Sequence, residues 1–206
     1  MVSDGTTGGV PDLQANGGGV PTLIDWFLRK DRERLKRFIQ AVVDAVPGVH
    51  DVGVETPEPA RRSIELKIDE GAWLPADQAS AGVRLLLFFL ALAHHPQPPS
   101  LVLLEEPENG LHPRRMAHVM RLLRGLTEGR FGAPPIQVVL STHSPHLLDE
   151  IDPAKDQVLV FRRNEDGSRT AEPADAARLA TFLDEFKLGE VWFNQRESGL
   201  VSRPAS

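Results

Sequence analysis

Two neighbouring glutamates and one histidine are the side chains of this 206-residue sequence whose spacing could support chemistry. Glu105 and Glu106 directly follow the apolar run 101–104, and His143 lies three residues after the apolar run 136–140. Short apolar runs bounded by turns are typical of strands that are buried on both faces of a parallel sheet. Because ligands bind beyond the carboxyl ends of such strands, the three side chains could converge on one site.

Two carboxylates and an imidazole in one site would suit a hydrolytic reaction. One carboxylate could hold a hydrated Mg²⁺ ion, which prefers carboxylate oxygens and water as ligands. The second carboxylate could orient or deprotonate an attacking water molecule. A nearby histidine could contact the negative charge that develops during the reaction. A solvated acid pair at the end of a strand is the simpler alternative for the two glutamates.

The elements that would position these residues alternate between helices and strands. An apolar helix at 82–93 precedes the first strand, and a third apolar strand is predicted at 158–161. A helix with one buried face separates the first two strands, and its apolar positions are Met116, Val119, Met120, Leu123 and Leu126. This order predicts an α/β fold in which helices flank a mainly parallel sheet.

The first third of the chain has a different pattern. Residues 1–20 are rich in glycine, which predicts a flexible loop segment. Apolar residues at helical spacing predict one amphipathic helix over 21–46, which ends at Pro47 and Gly48. Alternating apolar residues predict strands at 49–55 and 62–69, as an element that flanks the core sheet.

Composition and charge limit the classes of function. The net charge of −6 gives no general attraction to nucleic acid, although Arg29 to Arg37 contain a local basic cluster that leaves DNA binding as a minority hypothesis. No cysteine is present, which excludes thiol chemistry and fits a cytoplasmic protein. The longest apolar stretch, 85–93, is too short to span a bilayer, so no membrane partner is expected.

Four segments resemble motifs of ABC-class P-loop ATPases, in the expected order and spacing. Residues 101–113 (LVLLEEPENGLHP) resemble the Walker B and D-loop segment, and 137–145 (QVVLSTHSP) resemble the switch-histidine strand. Residues 79–83 (ASAGV) lie where that family has its signature motif, and 188–193 (LGEVWF) resemble the family's C-terminal region. The most similar members are the AAA-type ATPases related to the SMC, RecF and OLD families. The resemblance implies a C-terminal ATPase lobe over 21–195 and a tail at 196–206.

The resemblance implies a role for each residue of the predicted site. Glu106 would be the catalytic carboxylate that polarises the hydrolytic water, and His143 would be the switch histidine that faces the γ-phosphate of ATP. Glu105 occupies the Mg²⁺ position of Walker B, where the family pattern has aspartate. ATP and Mg²⁺ are therefore the implied cofactors.

Three further residues would act across a dimer interface in the family that the sequence resembles. Asn109 belongs to the D-loop, which contacts the partner subunit. Ser80 and Gly82 would touch the γ-phosphate held by the opposite protomer. The physics agrees with the last role, because Ser80 can cap a helix and an exposed helix N-terminus attracts phosphate. A plain N-cap without any ligand is an equally simple interpretation of Ser80.

The sequence contains no phosphate-binding loop of the form Gly-x-x-x-x-Gly-Lys-Ser/Thr. None of its five lysines follows a glycine, and Gly17–Gly19 lack the lysine and hydroxyl that such a loop requires. We therefore expect the fold to lack the N-terminal, phosphate-binding lobe, and the chain alone to be almost inactive. A second ATPase protomer or a separately encoded N-terminal lobe would complete the site. An incomplete sheet should also expose an edge or an apolar face and favour self-association.

Several alternatives remain open at this stage. The chain could be a catalytically silent interaction or regulatory paralogue, or a gene fragment. Family resemblance adds DNA or an effector protein as possible partners. His143 and His146 could be metal ligands, although no third ligand with zinc-like spacing accompanies them. His94 and His95 are predicted to cap the C-terminus of the apolar helix.

Overall fold

A computed structural model describes residues 2–4, 9–58, 61–109, 111, 113–164 and 166–175. The chain divides into two units, Met1–Ser141 and Thr142–Ser206. The segment 188–193 and the tail 196–206, which carry predictions from the sequence, lie outside the described residues. None of the described helices is long and apolar enough to cross a membrane.

Two helices, α1 (Val20–Lys30) and α2 (Arg32–Ala45), occupy the region predicted as one helix over 21–46. The interruption lies at Asp31, whose backbone (φ −145°, ψ 76°) is not helical. The Asp31 carboxylate accepts a hydrogen bond of 3.0 Å from the backbone N–H of Arg34 and so caps α2. The single-helix prediction is therefore wrong at this point, because the apolar spacing continues through a capping residue.

The predicted flanking strands are confirmed as part of a four-stranded antiparallel sheet. It contains β1 (Val2–Asp4), β2 (Val49–Glu58), β3 (Arg61–Ile68) and β4 (Trp73–Pro75). The strand order is β1–β3–β2, and β4 also pairs with β3. On one face of this sheet Val52, Ile64 and Leu66 are buried in the core.

The glycine-rich segment differs from the flexible loop predicted over residues 1–20. Residues 2–4 form β1, and Pro11 and Gly17–Gly19 are buried. Gly19 has a φ of +86°, and a Cβ added there would lie 2.0 Å from the carbonyl oxygen of Asp12. Only glycine fits this position, so these residues supply a tight turn into α1.

A parallel strand pair carries the predicted site. It consists of β5 (Leu101–Glu105) and β6 (Gln137–Ser141), preceded by α3 (Ala81–Ala93) and connected by α4 (Pro113–Thr127). The register runs from Leu101 opposite Gln137 to Glu105 opposite Ser141. The predicted inner face of α4 is confirmed, since all five of its apolar positions are buried.

One face of the strand pair is open, which corrects the prediction of strands buried on both faces. Leu103 is 70% exposed, Val139 48% and Leu101 45%, whereas Val102 points to the other face and is buried. α4 packs against β6, and α3 packs against α4. In the described residues, the helices α3 and α4 therefore cover one face of the strand pair. The residues of a strand do not by themselves show whether helices pack on one face of the sheet or on both.

The second unit contains a short helix and a hairpin. These are α5 (Pro145–Leu148), β7 (Leu159–Arg163) and β8 (Arg169–Pro173). The strand predicted at 158–161 exists as β7, but it pairs antiparallel with β8 and is not a third strand of the parallel sheet. The turn at Gly167 (φ +83°) places β8 directly beside β7. Because the loop between the two strands is short, closing it costs little conformational entropy.

Candidate functional site

The two glutamates of the predicted site lie at the carboxyl end of β5. Glu105 is the last residue of β5, is opposite Ser141 of β6 and is exposed. Because side chains alternate along a strand, Glu105 shares the open face of the pair with Leu101 and Leu103. Its carboxylate is therefore presented to solvent beside an uncovered apolar surface.

The backbone of Glu106 adopts a conformation that is rare for any residue other than glycine. Its φ is +44°, and it is the one non-glycine residue with positive φ in the described parts of the chain. Two hydrogen bonds of 2.9 Å hold it: its N–H donates to the carbonyl of Ser141, and its carbonyl accepts from the N–H of Asn109. The second of these bonds closes a turn from Glu106 to Asn109, and Pro107 suits the second position of this turn because its φ is fixed. The strand therefore ends at Glu105, and the Glu106 side chain leaves the backbone in a direction that an extended residue would not give it.

The side chain of Asn109 also contacts Glu106. Its Nδ2 donates a hydrogen bond of 2.7 Å to Oε2 of the Glu106 carboxylate. Glu106 is half-buried, while Asn109 is exposed. A carboxylate held in this way could orient a water molecule for attack, which is the chemistry predicted for Glu106.

His143 follows the end of β6 by two residues and is exposed. It belongs to the second unit, whereas Glu105, Glu106 and Asn109 belong to the first. In the same stretch the backbone N–H of Ser144 donates to Oγ1 of Thr142 over 2.9 Å. The role of His143 as a switch histidine stays a prediction.

The predicted signature residues begin α3. Ser80 is exposed and caps the helix, since its Oγ accepts a hydrogen bond of 3.3 Å from the N–H of Val83. Gly82 is buried in the first turn. Helix geometry leaves the first N–H groups without carbonyl acceptors inside the helix, which is the property that an anion site requires. The cap is confirmed, and the contact of Ser80 and Gly82 with phosphate stays a prediction.

Arg84 is a residue of this region that the sequence reasoning missed. Its Nη1 donates hydrogen bonds to two backbone carbonyls, those of Asp77 (2.9 Å) and Ala79 (2.7 Å). The guanidinium thereby ties the segment before Ser80 to the first turn of α3. The sequence does mark this residue, because Arg84 is the one charged residue within the apolar helix Ala81–Ala93.

Two buried histidines fix the other end of α3. His94 is the C-cap residue, as predicted, and its Nδ1–H donates to the carbonyl of Leu90 over 2.8 Å. Nε2–H of His95 donates to the carbonyl of Pro11 over 2.9 Å, and its Nδ1 accepts from the N–H of Gln97 over 3.1 Å. Burial lowers the pKa of both histidines below the ordinary value. Their part is structural, because His94 caps the end of α3 and His95 joins that end to the segment before α1.

Three of the six cations in the local basic cluster form ion pairs with neighbouring acids. Arg29 pairs with Asp25, Arg34 with Asp31 over 3.1 Å, and Lys36 with Glu33 over 2.9 Å. Half of the positive charge between 29 and 37 is thus paired with acids close by in sequence, which weakens the minority hypothesis of DNA binding.

The donor set suits a magnesium ion that is shared with a substrate. Within the described residues, no group of three or more His, Asp or Glu side chains could enclose a metal. Mg²⁺ is usually held by one or two carboxylates together with water and substrate phosphates, so the exposed Glu105 carboxylate fits that pattern.

Comparison with solved structures identifies the fold. The chain matches a solved structure from work described as "Structural biochemistry of ATP-driven dimerization and DNA stimulated activation of SMC ATPases". The two sequences are 16% identical, the match covers 79% of this chain and 96% of that chain, and the TM-score is 0.53. It also matches an SMC head domain from Pyrococcus furiosus, at 15% identity over 79% of this chain and 40% of that chain, with a TM-score of 0.56. An SMC head domain from Pyrococcus yayanosii matches at 16% identity over 78% of this chain and 30% of that chain, with a TM-score of 0.51. The chain therefore spans less than half the length of these two structures. No curated protein gave a significant match.

A family model gives the same assignment from sequence. Residues 25–149, more than half of the chain, match the family described as "AAA domain, putative AbiEii toxin, Type IV TA system". The matched range contains all six residues of the predicted site: Ser80, Gly82, Glu105, Glu106, Asn109 and His143. The chain therefore belongs to this AAA domain family and is a relative of the P-loop ATPases with the fold of SMC heads.

Proposed function

We propose that this chain contributes the Walker B, signature and switch-histidine elements of an ATP-hydrolysing site at a dimer interface. The observation that carries the proposal is the pair Glu105 and Glu106 at the carboxyl end of the parallel strands β5 and β6. In open parallel sheets this edge is where ligands bind. Membership of the AAA domain family supports ATP as the ligand.

Each residue has a distinct task in the proposed reaction. Glu106 would polarise the water that attacks the γ-phosphate, and Glu105 would hold Mg²⁺ through its exposed carboxylate. When bound, Mg²⁺ would neutralise phosphate charge and so ease departure of ADP, the leaving group of this attack. His143 would donate a hydrogen bond to the γ-phosphate and stabilise the charge that develops on it. Ser80 and Gly82 would approach the nucleotide held by an opposing protomer.

The proposed site needs a phosphate-binding loop from outside these 206 residues. Backbone amides and a lysine supply most of the affinity for the β- and γ-phosphates in such sites, and no lysine here follows a glycine. The open face at Leu101, Leu103 and Val139 adjoins Glu105 and would receive the missing lobe. A partner seated there would cover the apolar surface and bring its loop next to the Mg²⁺ carboxylate.

Reconstitution tests the proposal. The chain alone should show negligible ATP turnover, whereas co-expression with the polypeptide encoded immediately upstream should produce it if that polypeptide carries the phosphate-binding loop. Glu106→Gln should then lower kcat by about 100-fold or more, since general-base catalysis contributes that much. Turnover by the purified chain alone would contradict the need for a partner.

A silent interaction protein is the second candidate, and the lack of a Gly-Lys pair in the sequence favours it. Such a protein would still associate through the open face of β5 and β6 but would not turn over ATP. Stable complex formation without hydrolysis, unchanged by Glu106→Gln, would establish this second function in place of the first.

A further inference from the structure

We propose that Asn109 is the positioning residue for the carboxylate of Glu106. This inference rests on the proposed function, in which Glu106 polarises the hydrolytic water. The family resemblance implies for Asn109 only a contact with a partner subunit. The structure places its side chain against Glu106 within the same chain, with Nδ2 2.7 Å from Oε2.

The chemistry of the two groups fixes which atoms meet. An ionised carboxylate only accepts hydrogen bonds, so its partner must be the amide nitrogen of Asn109 and not the amide oxygen. A hydrogen bond to a charged acceptor is short and strong, and a separation of 2.7 Å lies at the short end of the usual range. The contact therefore restrains the direction in which the carboxylate lone pairs point.

The backbone around Glu106 also helps to fix the direction of its side chain. Glu106 has a φ of +44°, so its side chain leaves the chain at an angle that an extended strand residue would not adopt. The N–H of Asn109 donates to the carbonyl of Glu106 over 2.9 Å and closes the turn that begins at Glu106. One residue thus binds Glu106 twice, through its backbone and through its side chain.

The two contacts of Asn109 can be separated by mutation. Asn109→Ala removes the amide donor but keeps the backbone N–H that closes the turn. Asn109→Asp keeps the shape of the side chain but replaces the donor with an acceptor. Asn109→Gln keeps the donor on a chain that is one methylene longer. If shape alone mattered, aspartate would replace asparagine well and alanine would not.

Asn164 supplies a matched control. It is also an exposed turn residue, and its Nδ2 donates to Oγ of Ser168 over 2.8 Å. Its backbone N–H likewise closes a turn, by donating to the carbonyl of Ser168 over 2.9 Å. Asn164→Ala therefore measures the cost of removing such a turn amide from a place outside the proposed site.

The first measurement uses the full chain alone and does not depend on ATP. In ¹⁵N-correlated NMR spectra, the Asn109 side-chain amide should show one downfield proton that exchanges slowly with water. Glu106→Ala should shift this proton upfield and increase its exchange rate by about 10-fold or more, as expected for loss of a charge-assisted hydrogen bond. The Asn164 amide should not change. An Asn109 signal that is insensitive to Glu106→Ala overturns the proposal.

The second measurement uses ATP hydrolysis by the co-expressed pair. Asn109→Ala and Asn109→Asp should lower kcat by about 10-fold with little change in KM, and Asn109→Gln should recover part of the loss. Asn164→Ala should leave both constants unchanged. Hydrolysis that requires Glu106 but is unaffected by Asn109→Ala overturns the positioning role alone. Absence of hydrolysis in the parent pair overturns the proposed function and the role of Asn109 with it.

Discussion

Acidification below pH 6.5 should destabilise the first unit through His94 and His95. Both rings are held in the neutral form, since burial is the main cause that lowers their pKa. The charges of Arg34 and Arg37 add to this effect at His94. At His95, Arg34 also lowers the pKa, while the carbonyl of Pro11 and the charge of Asp12 oppose the shift without cancelling it.

The sign of the effect follows from proton linkage. A histidine whose pKa is lower in the folded state binds its proton more readily when the chain is unfolded. Its stabilising contribution is therefore complete above about pH 6.5 and is lost as the pH falls from there towards the folded pKa. Protonation would also place a proton on Nδ1 of His95, which accepts the N–H of Gln97 in the folded state.

The expected magnitude is set by the number of protons taken up. Each histidine that is charged only in the unfolded chain lowers the free energy of unfolding by about 1.4 kcal/mol per pH unit. An unfolded histidine with a pKa of 6.5 goes from half to almost full protonation between pH 6.5 and 5.5, so the two together should remove at most about 2 kcal/mol over that range, which is a large share of the stability of an ordinary domain. The assay is urea denaturation followed by tryptophan fluorescence at pH 7.5, 6.5 and 5.5.

Two variants make the result specific. His95→Gln keeps a donor for the carbonyl of Pro11 but does not titrate, so the loss between pH 6.5 and 5.5 should shrink by up to about 1 kcal/mol. Ser80→Ala removes the cap of α3 and should cost about 1 kcal/mol equally at each pH. If His95→Gln has the same pH dependence as the parent chain, the reasoning about this buried ring is refuted.

Three further predictions concern the open face, the glycine-rich turn and the segment before α3. Leu103→Lys should reduce self-association in sedimentation velocity, because a charge interrupts the apolar patch; a parent chain that is already a clean monomer would contradict this. Gly19→Ala should destabilise the chain by about 2 kcal/mol or more in urea denaturation, because Gly19 needs positive φ, whereas Gly9→Ala should stay within about 0.5 kcal/mol. Arg84→Ala should speed amide hydrogen exchange at residues 77–82 without affecting β5, and equal exchange in both chains would exclude the proposed tether.

Local patterns in the sequence predicted most of the individual elements. The apolar spacing of Met116 to Leu126 identified α4, and the run after Ser80 identified α3 together with its cap. These features depend on residues within one or two turns of each other, so they can be recognised from spacing alone. The break between α1 and α2 was missed because the apolar spacing continues on both sides of Asp31, although the cap itself is local.

Features that depend on distant parts of the chain were less predictable. The run 158–161 has the apolar character of a parallel strand, but β8 lies close enough in sequence to pair with it first. The same limit applies to the strand pair, where Leu101, Leu103 and Val139 are as apolar as core residues but remain uncovered. Whether an apolar strand is buried depends on which other elements pack against it.

The sequence by itself determined which residues are available for chemistry: the carboxylates of Glu105 and Glu106, the imidazole of His143 and the cap at Ser80. Only the tertiary structure decided how Glu106 is held, through its left-handed backbone, its contact with Ser141 and the amide of Asn109. The physical reason is that residue types and short-range periodicity act along the chain. The direction of a carboxylate is set by hydrogen bonds to whichever backbone and side-chain groups folding brings beside it.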